Sequence, residues 1–254
     1  MIEVQRERLR TVVLPDRTAM AQAAARHAGG RLRSILDDQP RARVIFAAAA
    51  SQAEMLDALA REDAIDWERV EAFHLDEYVG LPKGDPRSFG RWLEDHIWSR
   101  VKPGRVELID GGNPDPVAES RRYGALLDEG GLDLGLIGIG ENGHLAFNDP
   151  HVADFDDPET VKPVEIDDTS RHQQVRDGAF AAFEDVPRLA LTVTMSAILH
   201  ARSLSVVVPG AQKAEAVSRT LDGPIETACP ASALRRHVDA VLFVDEPAYS
   251  LVLA

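Results

Sequence analysis

Four short stretches concentrate residues suited to moving protons and holding an anion. The first is "GIGENGHLAFNDP", Gly138 to Pro150, where an apolar run ends in three glycines and then Asn142, His144 and Asp149 fall within eight positions. A histidine set between an amide and a carboxylate has its tautomer held by one neighbour while the other ring nitrogen handles a substrate proton. A solitary histidine is more often a satisfied, partly buried residue, and it is the company of Asn142 and Asp149 that points to chemistry. Gly138, Gly140 and Gly143 satisfy G-x-G-x-x-G, yet a dinucleotide fingerprint needs a helix directly after the third glycine and an acidic residue roughly 20 positions on. His144 and "FNDP" follow instead. Gly140 and Gly143 are therefore read as points where the backbone approaches a ligand closely.

The second stretch, "FHLDEYVGLP", puts Asp76 and Glu77 at the end of an apolar strand, where packing requires neither. They are either solvated loop acids or a cap for the next element, or one of them is a general base tuned by burial beside a ligand. His74, two residues before Asp76, is taken as structural. The third, "VVVPGAQKAEAV", places Lys213 after a strand and near a helix start, an arrangement suited to trapping a phosphate. In the fourth, "AAAASQ", Ser51 and Gln52 offer a second anion-binding edge, with Ser51 as N-cap and Glu54 three residues later. Arg171 and Arg176, in the polar run "SRHQQVRDG", are further phosphate candidates.

These stretches need a scaffold. Arg17 to Asp38 has amphipathic helical spacing, interrupted at Gly29 and Gly30. "RVIFAAAA" reads as a buried strand leading into the helix "SQAEMLDALARED". The alternation continues through "RVEAFHLDEY", the helix "RSFGRWLEDHIWSRV", the strand "RVELID", the helix "DPVAESRRYGALLDEG" and the strand "LDLGLIGIG". Beyond an Asp- and Pro-rich stretch, "RLALTVTMSAIL" and "SLSVVVPG" look extended, "QKAEAVSRTLDG" helical and "AVLFVDEP" a last strand. Continuously apolar strands alternating with helices predict a doubly wound α/β fold, a mostly parallel sheet with helices on both faces. Ligands in such folds bind beyond the carboxyl ends of the strands, where strand order reverses. That rule gathers the loops after the first, second and fourth of these strands into one site.

No linker, internal repeat or low-complexity segment divides the 254 residues, so a single domain over 1–254 is expected. The chain is 44% hydrophobic and 28% charged, with a net charge of −14 spread along its length. Dispersed acidity argues against a nucleic-acid partner held by phosphate neutralisation. It also means that an anionic substrate requires a locally positive pocket. No apolar run approaches the roughly 18 residues of a membrane span. The charged start "MIEVQRERLR" lacks the apolar segment of a signal peptide, so a cytoplasmic location is expected. The single cysteine, Cys229, lacks zinc-site spacing and reads as a small buried residue. Symmetric assembly is common among soluble enzymes, and a homo-oligomer stays open because no patch identifies an interface.

Taken together, "FHLDEYVGLP", "SFGRWL", "GIGENGHLAFNDP", "VPRLALTVT", "GAQKAEAV" and "VDEP" resemble the glucosamine-6-phosphate deaminase/isomerase family over nearly the whole length. The related 6-phosphogluconolactonases share the fold and a G-x-x-G-H turn but continue differently after the histidine. The resemblance implies conversion of an amino-sugar phosphate to a ketose phosphate with release of ammonia, without a metal or organic cofactor. It implies that Asp76 moves a proton from C2 to C1. His144, supported by Asn142 and Asp149, would open the pyranose ring, and Lys213 would bind the phosphate. Asn142 stands where many members have Asp, and Asp149 where Glu is usual, shortening the reach by about 1.5 Å. "AAAASQ" replaces a glycine- and threonine-rich phosphate loop. Another phosphorylated sugar as substrate, a lactonase, and a non-catalytic sugar-phosphate sensor are the alternatives.

Overall fold

The computed structural model describes residues 1–82 and 84–253. It opens with a hairpin, Ile2–Arg6 (β1) and Leu9–Leu14 (β2), followed by Arg17–Asp38 (α1), Ala42–Phe46 (β3), Ala53–Leu59 (α2), Val70–His74 (β4) and Asp76–Tyr78 (β5). Phe89–Leu93 (α3) and Ser99–Val101 (α4) flank a π-helical turn, Glu94–Trp98. Then come Arg105–Val106 (β6), Pro116–Asp128 (α5), Leu134–Ile137 (β7), Val161–Glu165 (β8), Asp168–Arg176 (α6) and Leu189–Val193 (β9). Met195–Leu199 (α7), Ser203–Val208 (β10), Ala214–Asp222 (α8), Ala240–Asp245 (β11) and Glu246–Tyr249 (α9) complete the chain.

Eight strands form the main sheet in the order β1-β2-β11-β10-β7-β3-β4-β6, and every pairing except β1 with β2 is parallel. Both faces are covered, as the apolar strands require. Along β3, Val44 and Phe46 point to the side packed by Met20, Ala24 and Leu32 of α1, while Ile45 points to the side packed by Tyr123 and Leu127 of α5. Val241 and Phe243 of β11 alternate with Leu242 and Val244 in the same way. The doubly wound expectation holds. From β3 the chain builds outward through β4 and β6, then returns to β7 on the other side of β3 and continues to β10 and β11. Strand order thus reverses between β3 and β7, and a crevice opens there beyond their carboxyl ends.

Several local expectations give way to tertiary packing. α1 runs unbroken through Gly29 and Gly30, because eight of its residues from Met20 to Leu36 are buried and Asp16 caps its start through the Ala19 N–H. That burial outweighs the roughly 1 kcal/mol that each helical glycine costs. α2 is capped at Gln52 with no side-chain bond, so Ser51 is not the N-cap; Glu54 pairs instead with Arg17 at 2.8 Å. "RVELID" keeps strand pairing only over Arg105–Val106. "RLALTVTMSAIL" is extended only to Val193, since the Thr194 hydroxyl accepts from the Ala197 N–H and starts α7. The N-terminal hairpin and a second, three-stranded antiparallel sheet, β5-β9-β8, were not apparent from the apolar pattern. That small sheet matters for the site, because it pairs Asp76 with Thr192 and so holds β5 over the end of β4. No described helix is long and apolar enough to cross a membrane.

Candidate active site

The segments after β3, β4, β7 and β10 converge on one cleft, and Ser51, Gln52, Asp76, Gly140, His144 and Lys213 all line it. Roughly 160 residues of sequence separate the first of these segments from the last, so only the parallel topology brings them together. A larger hollow of about 600 Å³ lies behind Glu77, lined by Trp98, Leu108 and Arg122 among others, but neither Asp76, His144 nor Lys213 faces it. Chemistry rather than size locates the site.

His144 sits on a tight turn closed by bonds from Gly140 N to His144 O (2.9 Å) and from Gly143 N to Gly140 O (3.1 Å). Its Nδ1 faces Asn142 Oδ1 at 2.8 Å, Ser170 Oγ at 2.8 Å and Asp149 Oδ1 at 3.1 Å. The Asn142 amide cannot be turned round, because its Nδ2 donates to Asp149 Oδ1 (2.9 Å) while its Oδ1 accepts from the His144 backbone N–H (3.1 Å). An acceptor therefore meets Nδ1, so the proton is on Nδ1 and Nε2 is left basic. Burial pushes the Asp149 carboxyl up, but its bond and charge contact with His144, together with Asn142 and Ser170, more than reverse this and bring it down to about 2. The carboxylate is ionised at neutral pH and can stabilise an imidazolium. Asp149 reaches His144 despite its shorter side chain. Gly140 lies directly beneath the ring: a Cβ there would come within 2.1 Å of His144 Cε1 and Nε2. Gly143 has φ +89° and a Cβ would meet Cys229 Sγ at 2.7 Å, so this glycine shapes the turn against Cys229 and does not face the cleft.

The two acids of "LDEY" divide the alternatives between them. Glu77 is the cap: its carboxylate accepts from the Tyr78, Phe89 and Gly90 backbone N–H groups at 3.0, 3.1 and 3.1 Å. Burial nonetheless raises it to about 7 against those three bonds. Asp76 is the acid that lines the cleft, and burial, reinforced by the Glu77 charge, holds its carboxyl well above the usual range. Such a carboxyl is a stronger base, once ionised, than one in water. His74 is structural, as expected: fully buried, it engages the Asp76 carbonyl through Nδ1 (2.9 Å) and accepts the Ile109 N–H on Nε2 (2.9 Å).

Lys213 ends a short 3-10 turn after Gly210, whose φ is +91° and whose N–H is engaged by both oxygens of Asp245 at 2.9 and 3.0 Å. The Asp245 of "VDEP" thus shapes the lysine loop from the end of β11. Lys213 is 5% exposed and donates to Gln173 Oε1 at 3.0 Å. Burial brings its ammonium down to about 8, against the pull of Glu141 and Asp177. Gln52 is turned inward, its Nε2 donating to Val207 O (3.1 Å) and to Ser51 Oγ (3.3 Å), and its Oε1 is buried without a partner. An unfilled carbonyl oxygen is the wrong atom for a phosphate and the right one for a hydroxyl or amine donor.

The arginine candidates do not join the cleft. Arg171 points away from it, bonded to the Phe183 and Val186 carbonyls at 2.9 and 3.1 Å and stacked on the Phe183 ring at 3.8 Å. It is a buried strut for the segment before β9. Arg176 is half-exposed, pairs with Glu141 and does not line the cleft. Missed in the sequence were Ser170, Gln173 and Asp245, whose contacts to His144, Lys213 and Gly210 are all tertiary; only the polar run "HQQ" hinted at Gln173.

Residues 15–243 match the family described as glucosamine-6-phosphate isomerases/6-phosphogluconolactonase. A glucosamine-6-phosphate deaminase of Exiguobacterium sibiricum is 37% identical over 192 residues, which is 76% of this chain and 74% of that protein. One from Bacillus anthracis is 35% identical over 191 residues, 75% of this chain and 71% of its own. Among solved structures, a monomeric glucosamine-6-phosphate deaminase superposes with a TM-score of 0.87 at 30% identity, covering 95% of this chain and 99% of the other. The 6-phosphogluconolactonase of Thermotoga maritima has the same fold at a TM-score of 0.75 and 19% identity, over 92% and 98% of the two chains. With the cleft at the strand-order reversal and the "GHLAFNDP" turn both in place, the chain belongs to the glucosamine-6-phosphate isomerase/6-phosphogluconolactonase family.

Proposed function

We infer that the protein is a glucosamine-6-phosphate deaminase, converting glucosamine 6-phosphate and water to fructose 6-phosphate and ammonia. The observation that carries this is a desolvated carboxyl, Asp76, sharing one cleft with a histidine whose basic Nε2 is presented by a fixed Nδ1–H. A lactone hydrolysis needs no base for a carbon-bound proton, whereas aldose–ketose chemistry does. The relatives at 35–37% identity are deaminases, which supports the same choice.

The chain's own groups supply each step. Lys213 holds the phosphate, exchanging its bond to the neutral Gln173 amide for one to a charged oxygen. His144 Nε2 takes the anomeric hydroxyl proton and returns it to the ring oxygen, which opens the pyranose, and Asp149 balances the transient imidazolium. Asp76 then removes the C2 proton and delivers it to C1. As one amine proton passes to O1, the C1 carbonyl becomes a hydroxyl-bearing carbon while C2 becomes an imine. Water adds to C2, nitrogen leaves as ammonia, and the water oxygen remains as the ketose carbonyl. Gln52 Oε1 accepts from a sugar hydroxyl, a role for "AAAASQ" that differs from anion binding. The relatives, which are named for glucosamine 6-phosphate, favour the glucosamine epimer. Turnover of glucosamine 6-phosphate well above that of galactosamine 6-phosphate is expected when ketose phosphate is followed, and a preference for the latter would reassign the substrate.

A further inference from the structure

We propose that Ser170 is a positioning residue for ring opening, its hydroxyl tying His144 Nδ1 to the Asp149 carboxylate. The proposal rests on the assignment of His144 to ring opening given above.

Ser170 is fully buried in the first turn of α6, with Oγ 2.5 Å from Asp149 Oδ1 and 2.8 Å from His144 Nδ1. A hydroxyl has one proton, and an ionised carboxylate can only accept. The Ser170 proton therefore points to Asp149, and an Oγ lone pair is left to receive Nδ1–H. The result is a continuous path from imidazole through hydroxyl to carboxylate, with each link shorter than the direct Nδ1 to Oδ1 separation of 3.1 Å. Asn142 offers a second acceptor at 2.8 Å. A neutral amide oxygen orients the ring, whereas the hydroxyl also connects it to the buried negative charge through two aligned bonds.

The same carboxylate anchors the element that carries the serine. Asp149 Oδ2 accepts the Asp167 backbone N–H at 2.9 Å, and Asp167 is the N-cap of α6, receiving the Thr169 N–H at 2.7 Å. Both oxygens of Asp149 thus grip one helix start, Oδ2 through the backbone and Oδ1 through Ser170. One turn further along, Gln173 Oε1 receives Lys213 Nζ, so a single short helix touches both the ring-opening histidine and the phosphate lysine. Positioning partners of this kind hold a catalytic imidazole within the narrow tolerance that proton transfer demands.

Wild-type protein, Ser170→Ala and Ser170→Thr would be compared for ammonia release from glucosamine 6-phosphate, in steady state and in the first turnovers. Ser170→Ala is expected to lower kcat roughly 10- to 100-fold, as loss of a supporting hydrogen bond typically does, with KM within about twofold. Its progress curves should show a burst equal to the open-chain fraction of the sugar, because only ring opening is slowed. Ser170→Thr, which keeps the hydroxyl, should recover kcat to within about threefold of wild type. An unchanged kcat in Ser170→Ala, a loss without the burst, or no recovery in Ser170→Thr overturns the proposal. If Ser170→Ala does not fold, Ser170→Cys, of similar volume and with a weak thiol donor, is read by the same criteria. A wild-type protein that releases no ammonia refutes the assigned reaction itself, and the role of Ser170 with it.

Discussion

Gly140→Ala tests the geometry of the site with one methyl group. The backbone at Gly140 needs no glycine-only conformation, since its φ lies outside the left-handed range. The cost is steric. The new Cβ would stand 2.1 Å from His144 Cε1 and Nε2 and 2.4 Å from Cδ2, under a ring held on its other edge by Asn142, Ser170 and Asp149. Reaching ordinary contact at 3.4 Å requires a shift of about 1.3 Å by the ring or the turn. Displacements near 1 Å cost on the order of 100-fold in rate, so kcat for glucosamine 6-phosphate should fall about 100-fold. The three atoms nearest this methyl all belong to His144, so affinity for glucose 6-phosphate, which keeps the phosphate but cannot release ammonia, should stay within about threefold. Ammonia release and isothermal titration with that analogue read the two effects separately. A kcat within threefold of wild type would show that His144 does not work from its observed place. Equal loss of turnover and affinity would show that the turn collapses as a whole.

Other substitutions divide the remaining roles. Asp76→Asn keeps the shape of the carboxyl but cannot take a proton, so turnover should be abolished while analogue affinity holds within about tenfold; parallel loss of both would remove Asp76 as the base. Lys213→Ala should weaken glucose 6-phosphate by about 1.5 to 3 kcal/mol, the usual worth of a hydrogen bond to a charged group, and leave unphosphorylated glucose unaffected; unchanged affinity would take Lys213 out of the site. Because burial brings the Lys213 ammonium down to about 8, the free enzyme loses this charge as pH rises through 8. Analogue binding should weaken over that range in wild type and not in Lys213→Ala. Asp149 is depressed to about 2 in the fold, so it stabilises above its ordinary value of about 3.8 and that contribution fades as pH falls toward 2. At about 1.4 kcal/mol per unit, the unfolding free energy separating wild type from Asp149→Asn should shrink by about 2 kcal/mol between pH 7 and pH 2. A constant difference would deny the charge contact with His144.

The parallel core was legible because its strands are short, wholly apolar and separated by amphipathic helices, a pattern that only burial on both faces satisfies. The positions of Asp76 and Lys213 were legible because each falls within a few residues of a strand end, where this topology must gather them, and those of Asn142, His144 and Asp149 because they share the polar segment that follows β7. What could not be read is whatever depends on a partner far along the chain. Nothing local to Arg171 shows that it is drawn off by the Phe183 ring and two carbonyls instead of entering the cleft as Lys213 does. Glu77 and Asp76 are adjacent, and only the arrival of the α3 backbone N–H groups makes one a cap and leaves the other to the cleft. Ser170 carries no local mark, lying 26 residues beyond the histidine it contacts. The glycine pair in α1 shows the converse, a strong local signal overridden by the apolar face on which the helix lies.

The most direct test of the proposed activity is the stoichiometry of products from purified protein and glucosamine 6-phosphate, with ammonia and fructose 6-phosphate measured in the same tubes. Equal amounts rising together are expected, since one water replaces one amine for each sugar isomerised. Neither product appearing while the sugar phosphate binds, or ammonia appearing without ketose, would contradict deaminating isomerisation by Asp76 and His144.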